Sequence, residues 1–240
     1  MNKIVYDTII ISDIHFGSPN CQSKELYMFL DNIRVKELIL NGDVFDDLNF
    51  WRLTHWDWQA FSQIRKVSDH CKVVWNKGNH DEINEMFMSA LLGVHVNKGH
   101  YWKYNNKLFY ATHGHVWDIF IYKYRKITEI ATWIYTKIQY ASHGWSRKIS
   151  EWVKSKSKSM IRNCEVIRNH AVKMAEENAI SYVFCGHTHS AEMKRVRRVL
   201  YVNSGTWESD VPHFIGINKE GIFLCRYENH KTTIESFEKF

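Results

Sequence analysis

Residues 3–17 read KIVYDTIIISDIHFG, residues 37–46 ELILNGDVFD and residues 72–81 KVVWNKGNHD. Each opens on a short aliphatic or β-branched run, the pattern of a buried strand, and closes on glycine, carboxylate or imidazole. The stretches between them carry helical spacing, so the chain reads as strand Lys3 to Ser12, helix Ser23 to Val35, strand Glu37 to Leu40, helix Trp58 to Ser68 and strand Lys72 to Trp75. That alternation is βαβ rhythm, which builds a parallel sheet with helices on its face. A hairpin follows with Asn105 and Asn106 as its turn, because asparagine tolerates the positive φ such turns need, and its second arm is Leu108 to Thr112.

Beyond residue 116 the character changes. Ile127, Ile130, Ile134, Ile138 and Ala141 recur at spacings of three and four, and Met160, Cys164, Ile167, Ala171 and Met174 repeat the pattern, so residues 117–180 read as a helical insertion. Strands resume at Ser181 to Phe184, Met193 to Val202, Phe214 to Ile217 and Ile222 to Tyr227. The expected fold class is α/β, with α+β character: a β-sandwich flanked by helices, one domain over residues 1–240, carrying a helical cap at 117–180.

A chain of 240 residues and 28.7 kDa fits that single core, since a domain of this size buries about 70% of its unfolded surface. Hydrophobic residues at 45%, only 2 prolines and a mean hydropathy of −0.41 exclude a disordered or fibrous chain. No run approaches the ~18 uncharged apolar residues of a spanning helix, and the N-terminus lacks the apolar core of a secretory signal, so a cytoplasmic protein with no transmembrane segment is expected. Five cysteines without a CxxC pair suit neither a disulfide framework nor a thiolate zinc site. The net charge of +6 lies in the insertion, where 12 basic residues face 6 acidic ones. Nine aromatic residues accompany them there, from Trp117 to Trp152.

Five polar clusters each follow a strand: Asp13 with His15, Gly42 with Asp43, Gly78 with Asn79, His80 and Asp81, His113 with His115, and Gly186 with His187 and His189. Carboxylates, imidazoles and glycines at the carboxyl ends of strands make an α/β active-site crevice. Oxygen and nitrogen donors without sulfur suit Mn²⁺, Fe or Zn²⁺. The set exceeds one ion's needs, and two ions sharing a carboxylate would use all of it, clamping both oxygens of a phosphoryl transfer. His115 reads equally as a group behind the ligands or as polar surface. Asp47 and Asp81 read as caps or supporting groups.

These blocks resemble the calcineurin-like metallophosphoesterases, whose ordered motifs DxH, GDxxD, GNH(D/E), H and GHxH match Asp13-Ile14-His15, Gly42 to Asp46, Gly78 to Asp81, His113 and Gly186 to His189. The resemblance implies that Asp13, His15, Asp43 and His189 hold one metal and Asp43, Asn79, His113 and His187 the other, with Asp43 bridging. It implies that His80 is not a ligand but stabilises charge on the phosphorus oxygens or protonates the leaving oxygen, oriented by Asp46. Two divalent ions, Mn²⁺ foremost, are the implied cofactors.

The helical insertion, the HGHxxD run from His113 to Asp118 and the tail CGHTHSAEM to LYVNSGTWES are similar to the UDP-2,3-diacylglucosamine diphosphatase group of lipid A synthesis, although this chain has GNHD and HGH where the best-known members have GNRD and HGD. The resemblance implies cleavage of the diphosphate to UMP and a lipid phosphate. The cap would then hold an amphipathic phosphate compound, with Lys154, Lys156 and Lys158 on its polar part, and would make a peripheral contact with the inner membrane. The alternative is a nuclease or cyclic-nucleotide phosphodiesterase whose basic cap contacts nucleic acid. A Ser/Thr protein phosphatase fits less well, since GDVFDD lacks the arginine that follows GDxVD there. A binding module with a vestigial site fits least, because no ligand position is missing.

Overall fold

A computed structural model describes residues 4–81, 85–118 and 157–240. Its elements are β1 (Ile4–Val5), β2 (Thr8–Ile11), α1 (Ser23–Asn32), β3 (Ile33–Arg34), β4 (Glu37–Asn41), α2 (His55–Ser68), β5 (Lys72–Asn76), α3 (Glu85–Leu92), β6 (His95–Asn97), β7 (His100–Tyr104) and β8 (Lys107–Ala111). They continue with α4 (Ser157–Glu177), β9 (Tyr182–Cys185), β10 (Glu192–Val196), β11 (Val199–Asn203), β12 (His213–Asn218), β13 (Gly221–Glu228) and β14 (Lys231–Lys239). Two sheets result, in the orders β14-β13-β12-β2-β4-β5-β6 and β10-β11-β9-β8-β7, with β1 and β3 as a small parallel pair.

Strand periodicity of two sorts the core into layers. On β2, Ile9 and Ile11 pack with Phe29 of α1 and Ile64 of α2, while Ile10 points the other way. Leu38 and Leu40 repeat the division against Ile39, and Val73 and Trp75 against Val74. The inner set Ile10, Ile39 and Val74 meets Phe109, Phe184 and Val202 of the second sheet. Ala171, Val172 and Ala175 of α4 then cover the outer face of that sheet at Val183 and Tyr201. The order is helix, sheet, sheet, helix, the sandwich expected. Each fully buried Ile, Leu or Phe contributes about 1.5–3 kcal/mol, so the shared inner layer locks the two sheets in register.

Several expected boundaries move, for local reasons. Lys3 to Ser12 is not one strand; it breaks at Tyr6 and Asp7 into β1 and β2. The first helix stops at Asn32 because Ile33 turns extended, with ψ of 150°. The second begins at His55, three residues early, because Thr54 and Asp57 form a reciprocal capping box. Met193 to Val202 is a hairpin, β10 and β11, turning at Arg197 with φ of 53°. Asn105 and Asn106 make the expected turn, with φ of 49° and 58°. The elements α3, β6 and β14 carried no clear signal. The helix through Ile127 to Ala141 and residues Lys154 and Lys156 lie outside the described residues, and Lys158 is described only as helical backbone.

Candidate metal centre

Strands β2, β4, β5, β8 and β9 end at one rim, and their following loops carry the five polar clusters. Five of the clustered residues have left-handed backbones: Asp13 (φ 53°), His15 (54°), Asp43 (51°), His187 (68°) and His189 (54°). Such φ values are uncommon outside glycine, cost on the order of 1–3 kcal/mol each, and gather at functional sites. Here they turn alternate residues inward, so that Asp13 and His15 meet His189 in one cluster and Asp43, His113 and His187 form another. His15, Asp43 and His80 form a third overlapping set. A side chain on Gly42, at φ +93°, would collide with the His113 ring, and one on Gly78 with the Asp43 carboxylate, which is why the blocks need glycine there.

Asp43 is central. Its Oδ2 lies 3.0 Å from His113 Nε2 and 3.8 Å from His15 Nε2, and its Oδ1 accepts the His80 amide at 2.9 Å. Asp13 Oδ1 lies 3.2 Å from His189 Nε2, and both Asp13 oxygens accept the His187 amide, at 3.1 and 3.0 Å. Both carboxylates are fully or almost fully buried. Against their burial, the charges of His113 and His189 hold Asp13 down at about 2, and His113 holds Asp43 well below the usual carboxylate range. Burial alone would lower His15 and His113; contact with Asp46 and the charge of Asp43 raise His15 to about 10, and Asp43 and Asp13 raise His113 to about 9. The pocket is built to contain positive charge, and divalent ions displacing those protons would supply it.

The donor atoms fit such ions. Both His15 nitrogens, Asn79 Oδ1 and His113 Nε2 are buried without a hydrogen-bond partner, an arrangement that costs stability unless a ligand satisfies them. His113 Nδ1 donates to the Asn41 carbonyl at 3.0 Å, which fixes the tautomer and leaves Nε2 as the electron-pair donor. Asn41 is in turn held by Asn76 at 2.8 Å and itself donates to the Thr112 carbonyl at 2.9 Å, tying the first sheet to the loop that carries His113. Asn203 does the same for the Gly186 carbonyl at 2.6 Å.

His80 Nδ1 lies 2.6 Å from the Asp46 carbonyl, which can only accept, so Nδ1 carries the proton and Nε2 is left for other work. The expected orientation by Asp46 thus comes through the main chain. Its carboxylate instead stands 3.6 Å from His15 Nδ1 and 2.7 Å from Arg52 Nη2. Asp81 is fully buried and accepts from Val44 N, Phe45 N, Gly78 N and Trp75 Nε1 at 3.0–3.3 Å, pinning the Asp43 loop to the Asn79 loop. Asp47 caps the turn at Asn49 and pairs with Arg52. The His115 ring lies 5.4 Å from that of His113, and its Nδ1 is buried without a hydrogen bond. Burial and the neighbouring histidines lower His115 to about 4, so it is neutral at physiological pH.

Against known proteins, the chain matches the calcineurin-like phosphoesterase family over residues 7–191, a stretch that contains every cluster just described. The chain is a calcineurin-like phosphoesterase. It is a metal-dependent hydrolase of phosphoesters, and three overlapping groups of its side chains are candidates to hold metal. No curated protein matches this phosphoesterase in sequence. Its fold is similar to that of a single-residue mutant of Vps29 from Entamoeba histolytica (16% identity, TM-score 0.53, covering 97% of this chain and 98% of that one). Similar too are Vacuolar Protein Sorting 29 from Cryptosporidium parvum (13%, 0.51, 97% and 96%) and the phosphoesterase Yfce from E. coli (12%, 0.50, 97% and 98%). At such identities the likeness concerns the fold alone.

Sequence reading missed Arg52, Asn41, Asn76, Asn203 and Glu208. Arg52, five residues after Asp47, pairs with both Asp46 and Asp47. The asparagines share one legible signal, a polar amide that ends a strand directly after an aliphatic or aromatic run.

Proposed function

We propose that this phosphoesterase is a dinuclear hydrolase, with Asp13, His15, Asp43 and His189 holding one divalent ion and Asp43, Asn79, His113 and His187 the other. The observation that carries this reading is the pair of ligand clusters around Asp13 and Asp43, with unsatisfied nitrogens on His15 and His113 and an unsatisfied oxygen on Asn79. When bound, the ions, Mn²⁺ in preference to Fe or Zn²⁺, supply an activated water and neutralise charge on the phosphoryl oxygens. His80 keeps Nδ1 on the Asp46 carbonyl and uses Nε2 to stabilise phosphoryl charge or to protonate the leaving oxygen. Arg52 holds the Asp46 carboxylate on its far side from His15, so the His80 loop keeps its place.

The substrate we propose is a UDP-diacylglucosamine-like lipid nucleotide, cleaved at its diphosphate to UMP and a lipid phosphate. Three features support it: the HGHxxD and LYVNSGTWES runs, the basic aromatic insertion at 117–180 with Lys154, Lys156 and Lys158, and exposed apolar residues on either side of Arg52 in the chain. That surface includes Leu48, Phe50 and Trp58, with Trp51 98% exposed, and suits a substrate with an apolar body or a peripheral membrane contact. No helix among the described residues is long and apolar enough to cross a membrane. The test is to assay the Mn²⁺-loaded chain in parallel against UDP-diacylglucosamine, bis-p-nitrophenyl phosphate, single-stranded DNA and cyclic AMP. Preference for the lipid nucleotide supports the reading. Preference for DNA, falling steeply between about 50 and 200 mM salt, replaces it with the nuclease alternative.

A further inference from the structure

Two carboxylates outside the five motif blocks stand behind the two histidines of Gly186-His187-Thr188-His189, one behind each. Asp118, just past the turn His115–Trp117 and 5% exposed, brings Oδ2 to 2.9 Å from His187 Nε2. The same oxygen accepts from Asn163 of α4 at 2.7 Å, so the helix that covers the second sheet steadies it. On the opposite flank, Glu208 brings Oε2 to 3.6 Å from His189 Nδ1 and 3.9 Å from His15 Nε2, while its Oε1 accepts from the Ser18 hydroxyl.

The segment carrying Glu208 is anchored to a proposed ligand's own backbone. The Trp207 amide and the Thr206 hydroxyl both donate to the Asp13 carbonyl at 3.0 Å, and the Glu208 amide donates to the Thr206 hydroxyl oxygen at 3.0 Å. An imidazole that donates one N–H to a carboxylate has its tautomer and ring angle fixed and its other nitrogen made a better electron-pair donor. For His187, hydrogen-bonded to Asp118 through Nε2, that other nitrogen is Nδ1; for His189, whose Nδ1 faces Glu208 at ion-pair rather than hydrogen-bond distance, it is Nε2, which already lies beside Asp13.

We propose that Glu208 and Asp118 are ligand-positioning residues, Glu208 for the ion held through His189 and Asp118 for the ion held through His187, each setting the affinity of one ion. This rests on the dinuclear reading above. Its consequence is that the two ions have separable affinities, and that α4 reaches the second ion through Asn163 and Asp118.

The experiment uses the full chain and Mn²⁺ alone. Titration calorimetry and elemental analysis give the number and affinity of ions in the wild type, Glu208→Gln, Asp118→Asn and the double variant. Low-temperature electron paramagnetic resonance separates a spin-coupled pair from isolated ions. The expected result is two ions in the wild type. Each single variant keeps one site at wild-type affinity and loses about 10–100-fold at the other, with the coupled signal replaced by that of isolated ions, and the double variant is weak at both sites. Metal-free melting temperatures close to wild type distinguish positioning from general destabilisation. Should Asp118→Asn fail to fold, Asn163→Ala must lower the affinity of the same single site by a smaller factor. Wild-type affinity at both sites in the variants overturns the inference and leaves the dinuclear reading standing. A wild type that binds only one ion overturns both, and a double variant that keeps one site intact overturns the assignment of one carboxylate to each ion.

Discussion

Replacing Asp81 by Asn probes the joint between the Asp43 and Asn79 loops. The carboxylate accepts from two amides on one oxygen, Val44 and Phe45, and from the Gly78 amide and the Trp75 indole on the other. Asparagine keeps the shape but has one oxygen, so whichever way it flips, its NH₂ confronts two buried donors. Each donor left unsatisfied costs about 1–3 kcal/mol, which sums to about 2–6 kcal/mol for the pair. Burial and the nearby charge of Asp43 raise the pKa of Asp81, so the wild-type carboxylate already carries a penalty that the neutral amide removes. The net loss should therefore fall in the lower half, about 2–4 kcal/mol. Urea unfolding of the metal-free protein measures it as a lower midpoint at unchanged slope, and Mn²⁺ titration of the folded variant should show weakened binding, because in the proposed dinuclear site both loops contribute ligands to one ion. An unfolding free energy within about 0.5 kcal/mol of wild type with normal ion affinity would refute the idea that this carboxylate joins the loops.

His80→Ala should retain two ions and lose about 10²–10⁴ in turnover, the range for a general acid or base; loss of an ion by elemental analysis would make His80 a ligand instead. In the metal-free protein His113 and His15 are raised to about 9 and about 10. Their ion-pair contribution to folding is therefore full below the ordinary histidine value of 6.5 and lost as pH rises through 9 to 10. Ion binding needs those rings neutral, so Mn²⁺ affinity should rise with pH until it passes about 9 to 10 and binding below that should release protons, which calorimetry in buffers of different ionisation enthalpy measures; a flat profile would contradict it. Replacing Lys154, Lys156 and Lys158 together by Ala should raise KM for a lipid nucleotide at least tenfold while barely changing hydrolysis of a small aryl phosphodiester. Equal losses on both substrates would return the cap to an ordinary solvated surface.

The fold class and the candidate ligands were legible because both are written locally. Aliphatic runs such as TIII and ELIL declare strands, and in DIH, GD, GNHD and GHTH each cluster is only a few residues long, so its members must share a strand end wherever that strand goes. Strand neighbours, by contrast, are a tertiary fact. Nothing between Asp118 and His187, 69 residues apart, or between Ser18 and Glu208, 190 apart, announces a contact. The same holds for Asn41 and Asn76, whose amides matter only because β4 and β5 end side by side and the end of β8 in the other sheet faces them. Boundaries shifted where one residue's backbone decided the outcome, as at Arg197, whose left-handed φ splits the expected strand Met193 to Val202 into a hairpin. The left-handed φ of Asp13, His15, Asp43, His187 and His189 was equally hidden, since residue type alone favours the right-handed or extended regions. By itself the sequence determined which side chains could meet an ion and that they lie at strand ends. The tertiary structure decided which of them face one another and which carboxylates stand behind them, because those relations depend on the order in which the sheets assemble.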